Sequence, residues 1–193
     1  MDMYVYVKYT EDINSFHEVI DILRDGSSDV YFSTENRRSH RELEEFMRRM
    51  KPDDVIVIGS LSSLGLNETE VANRLSWFIS QSRLLAVCDY AATYEYGVSQ
   101  PLNRAVLETL LQSLLSSHAN ITKMPRNRKA NSGRKKISFP DNWDELYEKW
   151  DHKEITSKAF IEMTGLKKAT FYNLLTEYKE RQDRLQAFVS KYA

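Results

Sequence analysis

Short apolar runs and helical stripes alternate through the first half of the chain. Met3 to Val7, Val30 to Phe32, Val55 to Ile58 and Leu84 to Val87 are short and mostly β-branched or aromatic, which suits buried strands better than helices. Between them, Phe16, Val19, Ile20, Ile22 and Leu23 recur at helical spacing, as do Leu43, Phe46, Met47 and Met50, and later Val71, Leu75, Phe78 and Ile79. Strict alternation of strand and helix predicts an α/β domain with a mainly parallel sheet flanked by helices. The order in which the strands pair is not readable from this pattern.

A different pattern starts at Pro101. Val106, Leu107, Leu110, Leu111, Leu114 and Leu115 give one helix, running to about Asn120, a broader apolar face than a surface helix needs. Packing on the sheet is one use for it. Covering both leucine rows takes a second surface as well, which predicts a dimer interface and a homodimer or higher oligomer. Residues 1–122 form this first domain. An arm or linker spans 123–140, and its segment Lys123 to Lys136, KMPRNRKANSGRKK, holds seven basic residues, no acidic ones and no apolar period. A solvated hinge is the bland reading of such a run, but charges of a single sign fit phosphate contact better.

Residues 141–193 read as three helices. Asp141 or Asn142 can cap the first, in which Trp143, Leu146, Tyr147 and Trp150 share a face. Thr156 or Ser157 can cap a short second helix carrying Ala159, Phe160 and Met163. Gly165 supplies a turn, and in the third helix Ala169, Tyr172, Leu175 and Tyr178 are expected to point inward. A short helix, a glycine turn and a longer helix make a helix-turn-helix unit, although three-helix units also serve as plain interaction modules. Lys167, Lys168, Thr170 and Asn173 near the start of the third helix are placed to reach phosphates and base edges, and Tyr172 joins them as a candidate DNA contact despite its place on the inward stripe. Arg126, Arg128, Lys129, Arg134, Lys135 and Lys136 of the arm complete the candidate DNA-binding set, since a basic arm can lie in a minor groove beside a helix in the major groove.

Charge sharpens this division. The 193 residues carry a formal net charge of -1. Residues 1–120 hold 11 basic and 18 acidic side chains, whereas residues 121–193 hold 16 basic and 10 acidic ones. The bulk average argues against a polyanion partner, and the division argues for one at the C-terminal end. Cys88 stands alone, so neither a disulfide framework nor a cysteine metal site can form within one chain. His17, His40, His118 and His152 lack ligand spacing, so neither a metal nor a cofactor is implied. The Gly59 to Gly65 stretch, GSLSSLG, lacks the Gly-Lys-Ser/Thr ending of a phosphate-binding loop and reads as a strand-to-helix connection. Asn67, followed by Glu68 and Glu70, reads as a capped helix start. The opening residues do not resemble a secretory signal, and no window approaches a membrane span, so a cytoplasmic protein with no membrane partner is expected.

The order of parts resembles the resolvase/invertase family of serine site-specific recombinases over nearly the whole chain. Tyr4 to Thr10, YVYVKYT, is similar to the family's opening strand, which ends in the nucleophilic serine. Asp53 to Gly65 resembles its third strand and the Asp-Arg-Leu-Gly segment after it. Pro101-Leu102-Asn103-Arg104 resembles the start of its long dimerisation helix, and Gly165 with Thr170-Phe171-Tyr172 and Leu175 resembles its C-terminal DNA-binding domain. The resemblance implies a resolvase-like α/β domain, a long dimerisation helix and a helix-turn-helix that binds double-stranded DNA.

The departures from the family pattern lie where its chemistry would be. The nucleophile position falls on Thr10 and the arginine two residues earlier on Lys8. The Asp-Arg pair falls on Ser62 and Ser63, and the next arginine on Leu66. The arginine of the second helix falls on His40, with Arg38 and Arg41 close by, and the Glu-Arg pair of the long helix falls on Ser117 and His118. A single arginine on a phosphoryl transition state can be worth about 10³ to 10⁵ in rate, so losing several silences such a site. The expectation is a DNA-binding pseudoenzyme, without catalytic residues, that acts as a regulatory or architectural nucleoid-associated factor, with an active recombinase as a further partner. One alternative is an active recombinase using Thr10, with His40 or His118 as the adjacent base. The other is an adaptor that binds protein only.

Overall fold

The computed structural model describes residues 1–9, 11–24, 28–35, 38–121, 139–140 and 142–192, without the side chains of 117–121. By contact, the chain divides into two units. Met1–Pro125 with Val189–Ala193 form one, and Arg126–Phe188 form the other.

The first unit is an α/β domain. Strands β1 (Met3–Lys8), β2 (Val30–Glu35), β3 (Val55–Ile58) and β4 (Leu84–Val87) lie in the order β2-β1-β3-β4, and every pair is parallel. Helices α1 (Asn14–Leu23), α2 (Arg41–Arg49) and α3 (Glu68–Ser80) fall between them, and α4 (Gln100–Ile121) follows. β1, β3 and β4 are buried along their whole length, as expected when helices cover both faces of a parallel sheet. Alternation assigns the faces. Tyr4, Tyr6, Ile56, Ile58, Leu85 and Val87 form one core with Leu43 and Phe46 of α2, Leu75 and Phe78 of α3, and Leu107 of α4. Phe16, Val19 and Ile20 of α1 are fully buried, and α1 packs against β3.

Leu107 therefore belongs to the core of its own domain. It is 0% exposed, which corrects its assignment to a dimer interface, since no partner can reach it. Leu110, Leu111 and Leu114 pack partly against the same core, Val106 is half-buried, and Leu115 is exposed.

The β4 edge is closed by side chains. Asn103 of α4 accepts from Leu85 N–H through Oδ1 (3.1 Å) and donates through Nδ2 to Leu85 C=O (2.9 Å). Thr93 Oγ1 accepts from Val87 N–H at 2.9 Å. An amide and a hydroxyl thus pair backbone groups that a further strand would otherwise use.

The second unit holds α5 (Trp143–Asp151), α6 (Ser157–Thr164) and α7 (Lys168–Tyr192), whose last residues group with the first unit. Thr156 caps α6 by accepting from Ala159 N–H, and Gly165 ends it at φ +66°, a left-handed conformation suited to glycine. Trp143, Leu146, Phe160, Phe171, Leu174, Leu175 and Tyr178 form its core. The inward stripe of α7 thus differs from the expected one. Phe171, Leu174, Leu175 and Tyr178 follow the 3.6-residue period, whereas Ala169 and Tyr172, reached by steps of three, drift round the helix into solvent.

Candidate functional site

Strand order reverses between β1 and β3. The chain leaves β1 for β2 on one side and returns to β3 on the other, and in open α/β sheets such a switch point, outside the carboxyl ends of the strands, is where ligands bind. The residues at those ends here are Lys8, the last of β1, with Glu11 after it, Ser39 and His40 after β2, and Gly59 to Ser63 after β3.

Lys8 does not face solvent. It is 3% exposed, its ammonium lies 4.0 Å from Glu35 Oε2, and it donates to the Ser39 carbonyl. Burial pushes its amine down to about 8, against the upward pull of the Glu35 and Glu11 carboxylates. Glu35 is held in turn by Tyr6 OH (2.7 Å) and Ser39 Oγ (2.5 Å). Burial works against its charge, but the hydrogen bonds from Ser39 and Tyr6, with the backbone bond at Glu42 and the Lys8 charge, outweigh it and leave its carboxyl below the ordinary range.

Glu11 occupies the crevice itself. Its carboxylate accepts from Lys8 N–H at 2.8 Å and from Ser63 Oγ, and a backbone hydrogen bond at Ser60 joins them. Gly59 leaves the room for it, because a Cβ there would lie 2.5 Å from Glu11 Oε1. Burial pushes the Glu11 carboxyl above its ordinary range, and the three hydrogen bonds oppose that shift. Ser63 is 1% exposed and its hydroxyl is committed to Glu11, while Ser60 and Ser62 hydroxyls lie 2.7 Å apart. Leu66 points outward at 53% exposed.

His40, at the N-terminus of α2, is 8% exposed, and its Nε2 has no hydrogen-bond partner. Burial, then the charges of Lys8 and Arg74, holds its imidazole below the ordinary histidine range. Arg38 and Arg41 on either side are exposed. Arg74 of α3 donates to the Leu64 carbonyl and to Glu44 Oε1 (3.1 Å), with Glu70 Oε2 at 3.9 Å. Burial pushes the Cys88 thiol up to about 12, which makes it a poor nucleophile at neutral pH.

The structure thus brings Lys8, His40 and Ser63 to one end of the sheet, and it adds Tyr6, Glu11, Glu35, Ser39 and Arg74, which the sequence reading left out. Glu11 had a signal, its place three residues after Lys8. Glu35 had none, since its role depends on how β1 and β2 pair. Thr10 and the side chain of His118 lie outside the described residues. Among the described residues, no group of three or more His, Cys, Asp or Glu is placed to hold a metal ion.

On the second unit, Lys167, Lys168, Tyr172 and Asn173 are exposed and Thr170 is half-buried. Arg126, Arg128, Lys129, Arg134, Lys135 and Lys136 lie outside the described residues. Among the described residues, no helix is long and apolar enough to cross a membrane. No protein-family model matches the chain, and no curated protein matches it.

Proposed function

We propose that this is a double-stranded-DNA-binding protein, built like a serine recombinase of the resolvase/invertase family whose catalytic site has lost its chemistry, and that it acts as a regulatory or architectural factor. The observation that carries the reading is the orientation of Lys8. Phosphodiester cleavage needs cations aimed at the developing negative charge. Here the cation at the end of β1 is buried between Glu35 and Glu11, the serine after β3 is spent on Glu11, and Leu66 offers no charge. A phosphate brought to this end of the sheet meets carboxylates whose like charge repels it.

The DNA-binding half of the proposal rests on the excess of basic residues from 121 onward and on the exposed row Lys167, Lys168, Tyr172 and Asn173 beside the Gly165 turn. The leucines of α4 that its own core leaves partly open, with Leu115, give a homodimer its contact, and an active recombinase subunit is a further partner for the same face. Incubating the purified chain with DNA from its source cell is expected to give a retarded complex on a native gel and no covalent adduct on a denaturing gel. An adduct that disappears in Thr10→Ala overturns the non-catalytic reading in favour of a working recombinase. Absence of any retarded complex at low salt, where phosphate contacts are strongest, overturns the DNA reading in favour of a protein adaptor.

A further inference from the structure

The carboxylate of Glu11 is surrounded as a bound anion is. Two backbone hydrogen bonds, at Lys8 and Ser60, and one hydroxyl, Ser63 Oγ, converge on it, and the Lys8 ammonium adds a positive charge nearby. These groups come from the end of β1 and the turn that follows β3, at the point where strand order reverses, and Gly59 beneath them lacks the Cβ that would fill the space. Convergent donors over a glycine are how proteins build oxyanion sites. Here the charged group that sits in the site comes from the chain itself.

We infer that the crevice between β1 and β3 is an oxyanion site whose resident occupant is the Glu11 carboxylate, so that a phosphate or small carboxylate enters only when Glu11 is withdrawn. The site discriminates by occupancy. With Glu11 in place, an incoming anion has to displace a tethered carboxylate and also meets the negative charge of Glu35. With Glu11 gone, the Lys8 N–H and the Ser63 hydroxyl lose the partner on which they converge, which favours any anion that replaces it. The inference is independent of where DNA binds, because the salt dependence of DNA affinity reads the C-terminal unit.

The test uses the full chain and its Glu11→Ala, Gly59→Ala and Glu11→Ala/Ser63→Ala variants, with sodium acetate or inorganic phosphate as probe and sodium chloride at equal ionic strength as reference. Thermal unfolding midpoints are followed against anion concentration. Glu11→Ala is expected to respond to both probes in a saturable way, at least about tenfold more tightly than the wild-type chain, and the double variant to lose that response. Acetate matches the missing carboxylate, so a response to phosphate but not to acetate assigns the site to phosphate. Gly59→Ala, whose Cβ takes up the space of the site, is expected to respond to neither probe. Should Glu11→Ala not fold in chloride, acetate or phosphate is expected to restore the fold. The inference is overturned if Glu11→Ala responds to neither probe beyond chloride, or if the double variant responds as strongly as Glu11→Ala.

Discussion

Two buried polar side chains show how single residues govern this domain. Asn103 is 1% exposed and pairs both outward groups of Leu85 with one amide, while Nδ2 also reaches Thr93 C=O at 3.2 Å. Asn103→Ala leaves those backbone groups without partners in the interior, so it is expected to lower stability by about 2–4 kcal/mol, measured by urea denaturation. His40 sets a pH response. Its folded pKa lies below the unfolded one, so the unfolded chain binds the extra proton, and stability is lost as pH falls below the ordinary histidine value of about 6.5. Lys8, Arg74, Glu35 and Glu70 are the charges that face it. Glu11, with its folded pKa raised, acts in the opposite sense, contributing stability that is present in acid and lost as pH rises through its folded pKa. The two are separated by comparing wild type with His40→Phe. Between pH 8 and pH 5.5 the wild type is expected to lose more stability than the variant, and parallel losses would show that His40 does not titrate in this window.

At the scale of elements, α4 closes the core of its own domain and is the helix on which the proposed homodimer contact is placed. Leu107 faces inward completely and Leu115 is 55% exposed, with Leu110, Leu111 and Leu114 between these extremes. Leu107→Ala removes a buried side chain from a packed core and is expected to cost about 2–5 kcal/mol in denaturation experiments. Leu115→Ser is expected to leave monomer stability nearly unchanged and to weaken self-association, read as a shift toward monomer in sedimentation velocity. Equal sedimentation of Leu115→Ser and wild type at the same concentration would count against the proposed contact at Leu115. The short strands were legible element by element. Met3 to Val7, Val55 to Ile58 and Leu84 to Val87 are apolar because both faces of a parallel sheet are covered. β2 extends to Glu35, beyond the apolar Val30 to Phe32, because Ser33, Thr34 and Glu35 continue to pair with Tyr6, Val7 and Lys8 of β1.

For the molecule as a whole, the division of charge makes the quantitative prediction. If the arm contacts phosphates, DNA affinity falls steeply with salt, and neutralising Arg126, Arg128, Arg134 and Lys135 together lowers the slope of log affinity against log salt by about 3–4, alike for all sequences. Substituting Thr170 or Asn173 is expected to change sequence preference instead, measured by competition between DNA sites. A slope unchanged by the four neutralisations would remove the arm from the interface.

The sequence by itself determined the α/β class, the four apolar strands, the capped starts of α3 and α6, the glycine turn at Gly165 and the segregation of charge. All of these follow from local period, turn chemistry or composition. Tertiary structure alone decided that strand order reverses between β1 and β3, that Lys8 turns inward, that Glu11 fills the crevice and that Asn103 closes the sheet edge. The physical reason is distance along the chain. Ser63 and Glu11 are 52 positions apart, and Tyr6 and Glu35 are 29 apart. A period reports which face a residue takes within its own element, whereas a buried polar group finds its partner only when strands from distant segments have been set side by side.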